Sequence, residues 1–171
     1  MSKEDLIQDL KENNKIFAEK NKDDLPKHVK GQSPKIAVLT CADSRVVPEF
    51  IFNKSIGEIF VVRVAGNAAV DESVLESLEY AVDHLNVDIL LILGHTNCGA
   101  VAAAKSDAKG LLMDEIRASF DLDSDKIKAN LQRQLDMLPQ RSRIISNAIN
   151  QEKLSLIGAI YNLETGIVDF L

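Results

Sequence analysis

The sequence predicts an α/β fold: a mostly parallel central sheet flanked by helices, with an antiparallel C-terminal edge strand and an N-terminal helical arm. Three features indicate it. Short apolar strands alternate with helical segments over residues 35–105, which is the pattern of a parallel sheet. The apolar segment VDILLIL at 87–93 is typical of a central strand that is covered on both faces. Near the C-terminus, a turn at 162–166 separates two further strands and predicts a hairpin.

Length and composition narrow the classes of function. The chain has 171 residues, of which 46% are hydrophobic, and we predict a single domain over 1–171 with a helical arm and linker at 1–30. A formal net charge of −6 argues against a nucleic-acid partner, because phosphate binding needs a basic surplus. No apolar run approaches the roughly 18 residues of a membrane span. The first 15 residues lack the apolar core of a secretory signal, so we expect no membrane partner and a cytoplasmic location.

The first half of the chain is predicted to contain one helix and two strands. Residues 2–20 have the periodicity of an amphipathic helix with Ser2 as its N-cap. Breaker residues dominate the linker at 23–34. Strands are expected at 35–40 and at 58–64, where short apolar runs occur.

Helices dominate the second half. Residues 71–85 have helical spacing, and a capping box between Ser73 and Glu76 is expected to start this helix. Another helix follows the third strand. The stretch 111–150 is helical and charged, with a break expected at Pro139.

Both cysteines of the chain follow predicted strands. Cys41 stands directly after the first strand, in CADSR, and Cys98 follows the third strand in GHTNCG, together with His95. Because ligand sites form at the carboxyl ends of parallel strands, these side chains are expected at one end of the sheet. A lone cysteine there is usually a small buried hydrophobic residue, but two of them with an adjacent histidine favour a metal site. Two thiolates and one imidazole suit Zn²⁺, and three protein ligands leave one position open, as in catalytic zinc sites.

Asp43 and Arg45 form a second candidate group beside the first cysteine. They are two residues apart, so in an extended segment their side chains point the same way and can pair. The arginine would keep the aspartate ionised, and the aspartate would accept a hydrogen bond from water on the metal. Two alternatives stay open: Asp43 as the fourth ligand of a closed metal site, and an ordinary structural ion pair.

CADSR followed by V-x-P, and then GHTNCGAV, together resemble the paired zinc motifs of the β-class carbonic anhydrases. The resemblance covers about residues 31–101 and resumes at the C-terminus. It implies a carbon–oxygen lyase that reversibly hydrates carbon dioxide to bicarbonate and a proton by zinc-bound hydroxide. It further implies one Zn²⁺ per subunit, held by Cys41, His95 and Cys98, with the Asp–Arg pair as the catalytic dyad.

Other positions match the family one at a time. Gln32 matches a glutamine that hydrogen-bonds substrate, Phe60 and Tyr80 match pocket-lining residues, and the backbone N–H of Gly99 is expected to face the same pocket. In the family, the first three approach the zinc of the other subunit. The resemblance therefore implies a homodimer or a higher even oligomer with active sites at the subunit interface, in which the N-terminal arm wraps the partner.

Val38 departs from the pattern of some bacterial members. Those members place a tryptophan here, in a non-catalytic bicarbonate pocket whose arginine matches Arg63, whereas this chain has no tryptophan. We therefore expect an open site and a structural role for Arg63.

Two other classes of protein stay open: a carbon disulfide or carbonyl sulfide hydrolase, and a zinc-storing or structural protein in which Asp43 is the fourth zinc ligand. Because two thiolates cancel the charge of zinc, activity is expected to rise on the alkaline side.

Overall fold

A five-stranded sheet forms the centre of residues 33–171, one of two units into which the chain divides. The computed structural model describes residues 1–106 and 108–171. The strands lie in the order β2-β1-β3-β4-β5; the first four run parallel, and the last is antiparallel to its neighbour. The predicted fold class is confirmed. The strands are β1 (Ile36–Thr40), β2 (Ile59–Arg63), β3 (Ile89–His95), β4 (Ser155–Tyr161) and β5 (Val168–Phe170).

The strand order creates a crevice at the carboxyl ends of β1 and β3. After β1 the chain moves outward to β2, then returns past β1 to form β3 on its other side. The connections that follow these two neighbouring strands therefore diverge, and in open α/β sheets ligands bind at such a switch point.

Helices pack on the sheet according to the alternation of side chains along its strands. The helices of this unit are α2 (Pro48–Ile51), α3 (Glu72–Asp83), α4 (Gly99–Lys105), α5 (Leu111–Arg117), α6 (Lys126–Arg141) and α7 (Arg143–Asn150). Leu39 and Ile92 are fully buried among residues of α3, α6 and α7, whereas Val38 and Leu93 point to the opposite face. The close approach of α6 to β4 requires glycine, because a Cβ at Gly158 would lie 2.8 Å from Leu135 Cδ1.

Two local predictions about helix ends are wrong. Asp71, and not a box of Ser73 with Glu76, caps α3: its carboxylate accepts a hydrogen bond from Ser73 N at 2.9 Å. Pro139 does not break the charged helical stretch. It lies in the last turn of α6, where its missing N–H removes a single intrahelical hydrogen bond. The break comes at Ser142, whose side chain caps α7 by accepting from Ile145 N at 3.1 Å.

The unit of residues 1–32 contains α1 (Lys3–Lys20) and a 3₁₀ turn at Leu25–His28. Ser2 is the N-cap of α1, as predicted, because its hydroxyl accepts from the backbone of Asp5 while the carboxylate of Asp5 accepts from the backbone of Ser2. None of the helices in the described part of the chain has the length and apolarity needed to cross a membrane.

Candidate metal centre

The three predicted metal ligands meet at the switch point of the sheet. Cys41 follows β1 directly, His95 is the last residue of β3, and Cys98 precedes the first turn of α4. All three are at most 4% exposed. Their ligand atoms lie within 4.8 Å of one another, and the two sulfur atoms are 3.9 Å apart. Two strand ends and one helix start thus bring together side chains that are up to 57 residues apart in the sequence.

The imidazole of His95 is oriented to leave one nitrogen available. Its Nδ1 lies 2.9 Å from the carbonyl oxygen of Thr96, a contact that requires Nδ1 to carry the proton. Its Nε2 is buried and has no hydrogen-bond partner among the described residues. A buried, unpaired polar atom costs roughly 1–3 kcal/mol, so a lone pair directed at two thiols fits a metal ligand. The S₂N donor set suits Zn²⁺ in particular.

The two thiols are coupled through their contact. The pKa of Cys41 is lowered, first by its contact with Cys98 and further by the hydrogen bond from the backbone N–H of Gly66, although burial acts in the opposite direction. The same contact, together with burial, raises the pKa of Cys98. A divalent cation bound by these side chains would favour the thiolate form of both cysteines.

Asp43 and Arg45 form a bidentate ion pair beside the three ligands. Arg45 Nε donates to Asp43 Oδ1 at 2.9 Å, and Arg45 Nη2 donates to Oδ2 at 2.7 Å. The backbone N–H of Arg45 adds a third bond to Oδ1. These contacts hold the pKa of Asp43 well below its usual range. Asp43 Oδ2 also lies 3.8 Å from His95 Nε2, so an ionised carboxylate stands next to the ligand atoms while it remains bound to the arginine.

Two residues support the cysteine loop: Arg63 through the loop's backbone and Gly66 through the sulfur of Cys41. Arg63, at the end of β2, donates through Nη2 to the carbonyl oxygens of Asp43 (2.7 Å) and Val46 (2.8 Å), and through Nε to that of Cys41 (3.4 Å). The expected structural role of Arg63 agrees with these contacts. Gly66 N donates to Cys41 Sγ at 3.2 Å, and sequence reasoning missed it because a backbone donor leaves no residue-type signal.

The residues predicted to line the pocket lie at different places in the fold. Gln32 is exposed and belongs to the unit of residues 1–32. Phe60 on β2 is half-buried and its ring centroid lies 6.1 Å from that of Tyr80 on α3, which is 45% exposed. Gly99 begins α4 next to Cys98 and is exposed. Their roles toward substrate stay predictions, whereas the ligand residues and the Asp–Arg pair are adjacent in the structure.

The fold and the site together define an α/β protein with a Cys-His-Cys candidate metal centre at the switch point of its sheet. The family model described as carbonic anhydrase matches residues 36–122. The chain is 35% identical over 153 residues to carbonic anhydrase 2 of Mycobacterium tuberculosis. The aligned region covers 80% of this chain and 73% of that protein. The chain belongs to the β-class carbonic anhydrases, an enzyme family whose general reaction is the hydration of carbon dioxide.

Solved structures support the same assignment. The chain is similar to a β-carbonic anhydrase from Coccomyxa in complex with acetazolamide, with a TM-score of 0.83 and 30% identity over 95% of this chain and 84% of that one. It is also similar to a tetrameric β-carbonic anhydrase from Sordaria macrospora, with a TM-score of 0.83 and 25% identity over 99% of this chain and 98% of that one.

Proposed function

We propose that this chain catalyses the reversible hydration of carbon dioxide to bicarbonate and a proton, with one zinc ion per subunit bound by Cys41, His95 and Cys98. One observation carries the proposal: three buried ligand atoms converge within 4.8 Å, and the Nε2 atom of the histidine has no partner among the described residues. When bound, zinc supplies Lewis-acid chemistry that makes a water molecule nucleophilic near neutral pH.

Asp43 is proposed to orient the attacking water. An ionised carboxylate only accepts hydrogen bonds, so Oδ2 holds one O–H of the water and leaves an oxygen lone pair for the carbon of carbon dioxide. Arg45 keeps Asp43 ionised, and the carboxylate therefore positions the O–H without taking its proton. A carbon–oxygen bond forms, one C=O π bond opens to give the bicarbonate oxygen, and the proton leaves to solvent. The exposed N–H of Gly99 is proposed to face the same pocket.

The active unit is proposed to be a homodimer or a higher even oligomer in which Gln32, Phe60 and Tyr80 complete the site of the partner subunit. Their exposure supports this, because Gln32 and Tyr80 are open to solvent in the single chain. The half-buried Phe60 carries its ring next to Tyr80, so the two form one aromatic surface. The tetrameric relative from Sordaria macrospora is consistent with assembly.

A zinc-dependence assay tests the reaction. Hydration of carbon dioxide is followed by stopped flow for the purified protein, for the protein stripped with a chelator, and for the stripped protein after zinc is restored. We expect activity to vanish and return with zinc, and kcat/KM to rise toward alkaline pH. Zinc-loaded protein that is inactive toward carbon dioxide at every pH would contradict the proposal. Turnover of carbon disulfide in that protein would identify the alternative hydrolase.

A complementation assay tests the shared site. One chain carries Cys41→Ser and keeps Gln32 and Tyr80, while the other keeps the metal ligands and carries Gln32→Ala with Tyr80→Ala. Coexpression forms mixed dimers in which one site has every required residue. We expect the mixture to be clearly more active than the sum of the two separate proteins. Activity that equals this sum would show that each subunit completes its own site.

A further inference from the structure

The loop that follows β2 contacts the candidate metal centre through the backbone N–H of Gly66. Gly66 N donates to Cys41 Sγ at 3.2 Å. An N–H···S bond to a metal-bound thiolate withdraws electron density from the sulfur and fixes the direction of its lone pairs, so the position of this N–H affects the strength of the metal–sulfur bond.

Gly66 has little freedom to move within its surroundings. Its φ of +67° lies in the left-handed region that favours glycine. A Cβ at this position would lie 2.6 Å from Ile116 Cδ1 and 3.3 Å from Ala100 Cβ. The loop therefore passes through a narrow gap between α4 and α5, and its orientation there depends on what holds its other peptide group.

Asn130 holds that second peptide group. Its Nδ2 donates to the carbonyl oxygen of Gly66 at 2.7 Å, and the residue, on α6, is 1% exposed. The peptides on both sides of the Gly66 Cα are thus fixed, one by the thiol of Cys41 and the other by Asn130. The Oδ1 atom of Asn130 has no partner among the described residues, so the side chain makes this bond while it leaves a buried acceptor unpaired.

Gln134, one turn further along α6, makes a comparable bond to a different part of the loop. Its Oε1 accepts from Ala69 N at 2.9 Å, and it is also 1% exposed. Like Asn130, it leaves one buried amide atom unpaired, here Nε2. It differs from Asn130 in its partner, since its hydrogen bond is to Ala69 and not to Gly66. Gln134 is therefore a matched internal control for a buried amide on the same helix that supports the same loop.

We propose that Asn130 is a positioning residue of the metal centre: by holding the carbonyl of Gly66, it keeps the N–H of Gly66 on the sulfur of Cys41 and thereby sets how strongly this thiolate binds the metal. The inference rests on the proposed zinc site and adds a control element outside the ligand motifs. It assigns to α6, which carries none of the ligand residues, a role in the properties of the site.

Cobalt substitution and zinc affinity test this role in Asn130→Leu, with Gln134→Leu as the control. Both changes remove a buried amide and its hydrogen bond; Asn130→Leu keeps the number of non-hydrogen side-chain atoms, and Gln134→Leu lowers it by one. We expect Asn130→Leu to bind zinc about 10- to 100-fold more weakly, as measured against a chromophoric chelator, because it disturbs a supporting contact of a ligand. The near-ultraviolet thiolate-to-cobalt charge-transfer band should also shift. Gln134→Leu should leave the affinity and the band as in the wild type.

The two variants must differ for the proposal to stand. If both match the wild type, or if both change alike, Asn130 has no specific role toward the metal. If circular dichroism shows that Asn130→Leu does not fold, Asn130→Ser is used in its place. A serine side chain is too short to donate a hydrogen bond to the carbonyl oxygen of Gly66. Wild-type protein that binds no zinc or cobalt would contradict the proposed function itself. Normal binding by the wild type together with two indistinguishable variants would contradict the role of Asn130 alone.

Discussion

The two ends of the sheet differ in how they use charged groups. At the amino ends of the strands, a cavity of about 750 Å³ is bordered by several charged side chains. One of its ion pairs, Lys35 Nζ to Asp88 Oδ2, spans 3.7 Å, and both side chains are about two-thirds exposed. Water screens such a pair, which contributes at most about 1 kcal/mol.

At the carboxyl ends, a smaller cavity of about 320 Å³ is lined in part by Cys98, one of the candidate ligands. Here an imidazole nitrogen lies buried with no partner among residues 1–106 and 108–171, and a carboxylate is held ionised by an arginine. The size of a cavity therefore does not identify the candidate metal site. The site is identified by buried ligand atoms that converge on one point. A buried polar atom without a hydrogen-bond partner costs free energy unless a ligand or metal binds it.

Replacing a metal ligand is expected to have the largest effect and to show the contrast between the ends most clearly. Cys98→Ser should abolish zinc binding at the site and reduce carbon dioxide hydration to the uncatalysed rate, because two donors hold a divalent ion poorly. Lys153→Ala, at the larger cavity, is the control and should leave both unchanged. Zinc content is measured by plasma mass spectrometry. A Cys98→Ser protein that keeps its zinc and its activity would show that the metal, if any, lies elsewhere.

Replacing the carboxylate beside the ligands is expected to have the second largest effect. Asp43→Ala should lower kcat/KM by about 100-fold or more, since the attacking water loses the group that orients it and a misplacement of about 1 Å can cost this much. Zinc should stay bound, because the three ligand side chains are intact. Stopped-flow kinetics and metal analysis of the same sample separate the two effects. Full activity in Asp43→Ala would remove the Asp–Arg pair from the mechanism, and loss of zinc would make Asp43 a ligand.

A substitution at Gly66, in the loop that donates to Cys41, should have a milder effect, and this effect should appear in the stability of the protein. Gly66→Ala is expected to lower the free energy of unfolding by about 1–3 kcal/mol, because it introduces a side chain at positive φ and against Ile116. Urea denaturation measures the change. Adding Ile116→Val removes the Cδ1 atom in contact and should restore part of the loss, while the backbone strain remains. No loss in Gly66→Ala would mean that the loop shifts freely.

The effect of pH on the ion pair is expected to be the smallest. Arg45 lowers the pKa of Asp43 below the ordinary value of 3.8, so the pair stabilises the protein above that pH and loses this contribution as pH falls through the lowered pKa. Arg45→Gln should therefore be less stable than the wild type at pH 7, and the difference should shrink as the pH falls below 3.8. Urea denaturation at several pH values measures it. A difference that grows in acid would contradict the sign.

The sequence was sufficient to predict the sheet, its parallel core and the meeting of Cys41, His95 and Cys98 at one end of the sheet, because each depends on a local signal. An apolar run indicates a central strand, and a cysteine after a strand lies at its carboxyl end whatever the rest of the chain does. The start of α3 agrees with the predicted helix, but its cap is Asp71 and not Ser73, because both residue types are good caps and local sequence does not decide between them. The helix break was misplaced because a proline in a last turn is tolerated.

The supporting contacts could not be predicted, since they join distant segments through the backbone. Arg63 donates to carbonyl oxygens, which every residue has, and Gly66 contributes only an N–H. Asn130 lies in a charged helix whose sequence resembles a solvated surface, yet it is buried against the loop. The roles proposed for Gln32 and Tyr80 involve a second chain, so they stay predictions.

X-ray absorption at the zinc K-edge, with metal content measured on the same sample, shows directly whether the chain binds zinc through two cysteines and one histidine. We expect one zinc per chain with two sulfur ligands at about 2.3 Å and two nitrogen or oxygen ligands at about 2.0–2.1 Å, one of which is His95. Cys41→Ser should lose this signal. Protein that contains no zinc after expression in zinc-supplied medium, or zinc without sulfur ligands, would contradict the account.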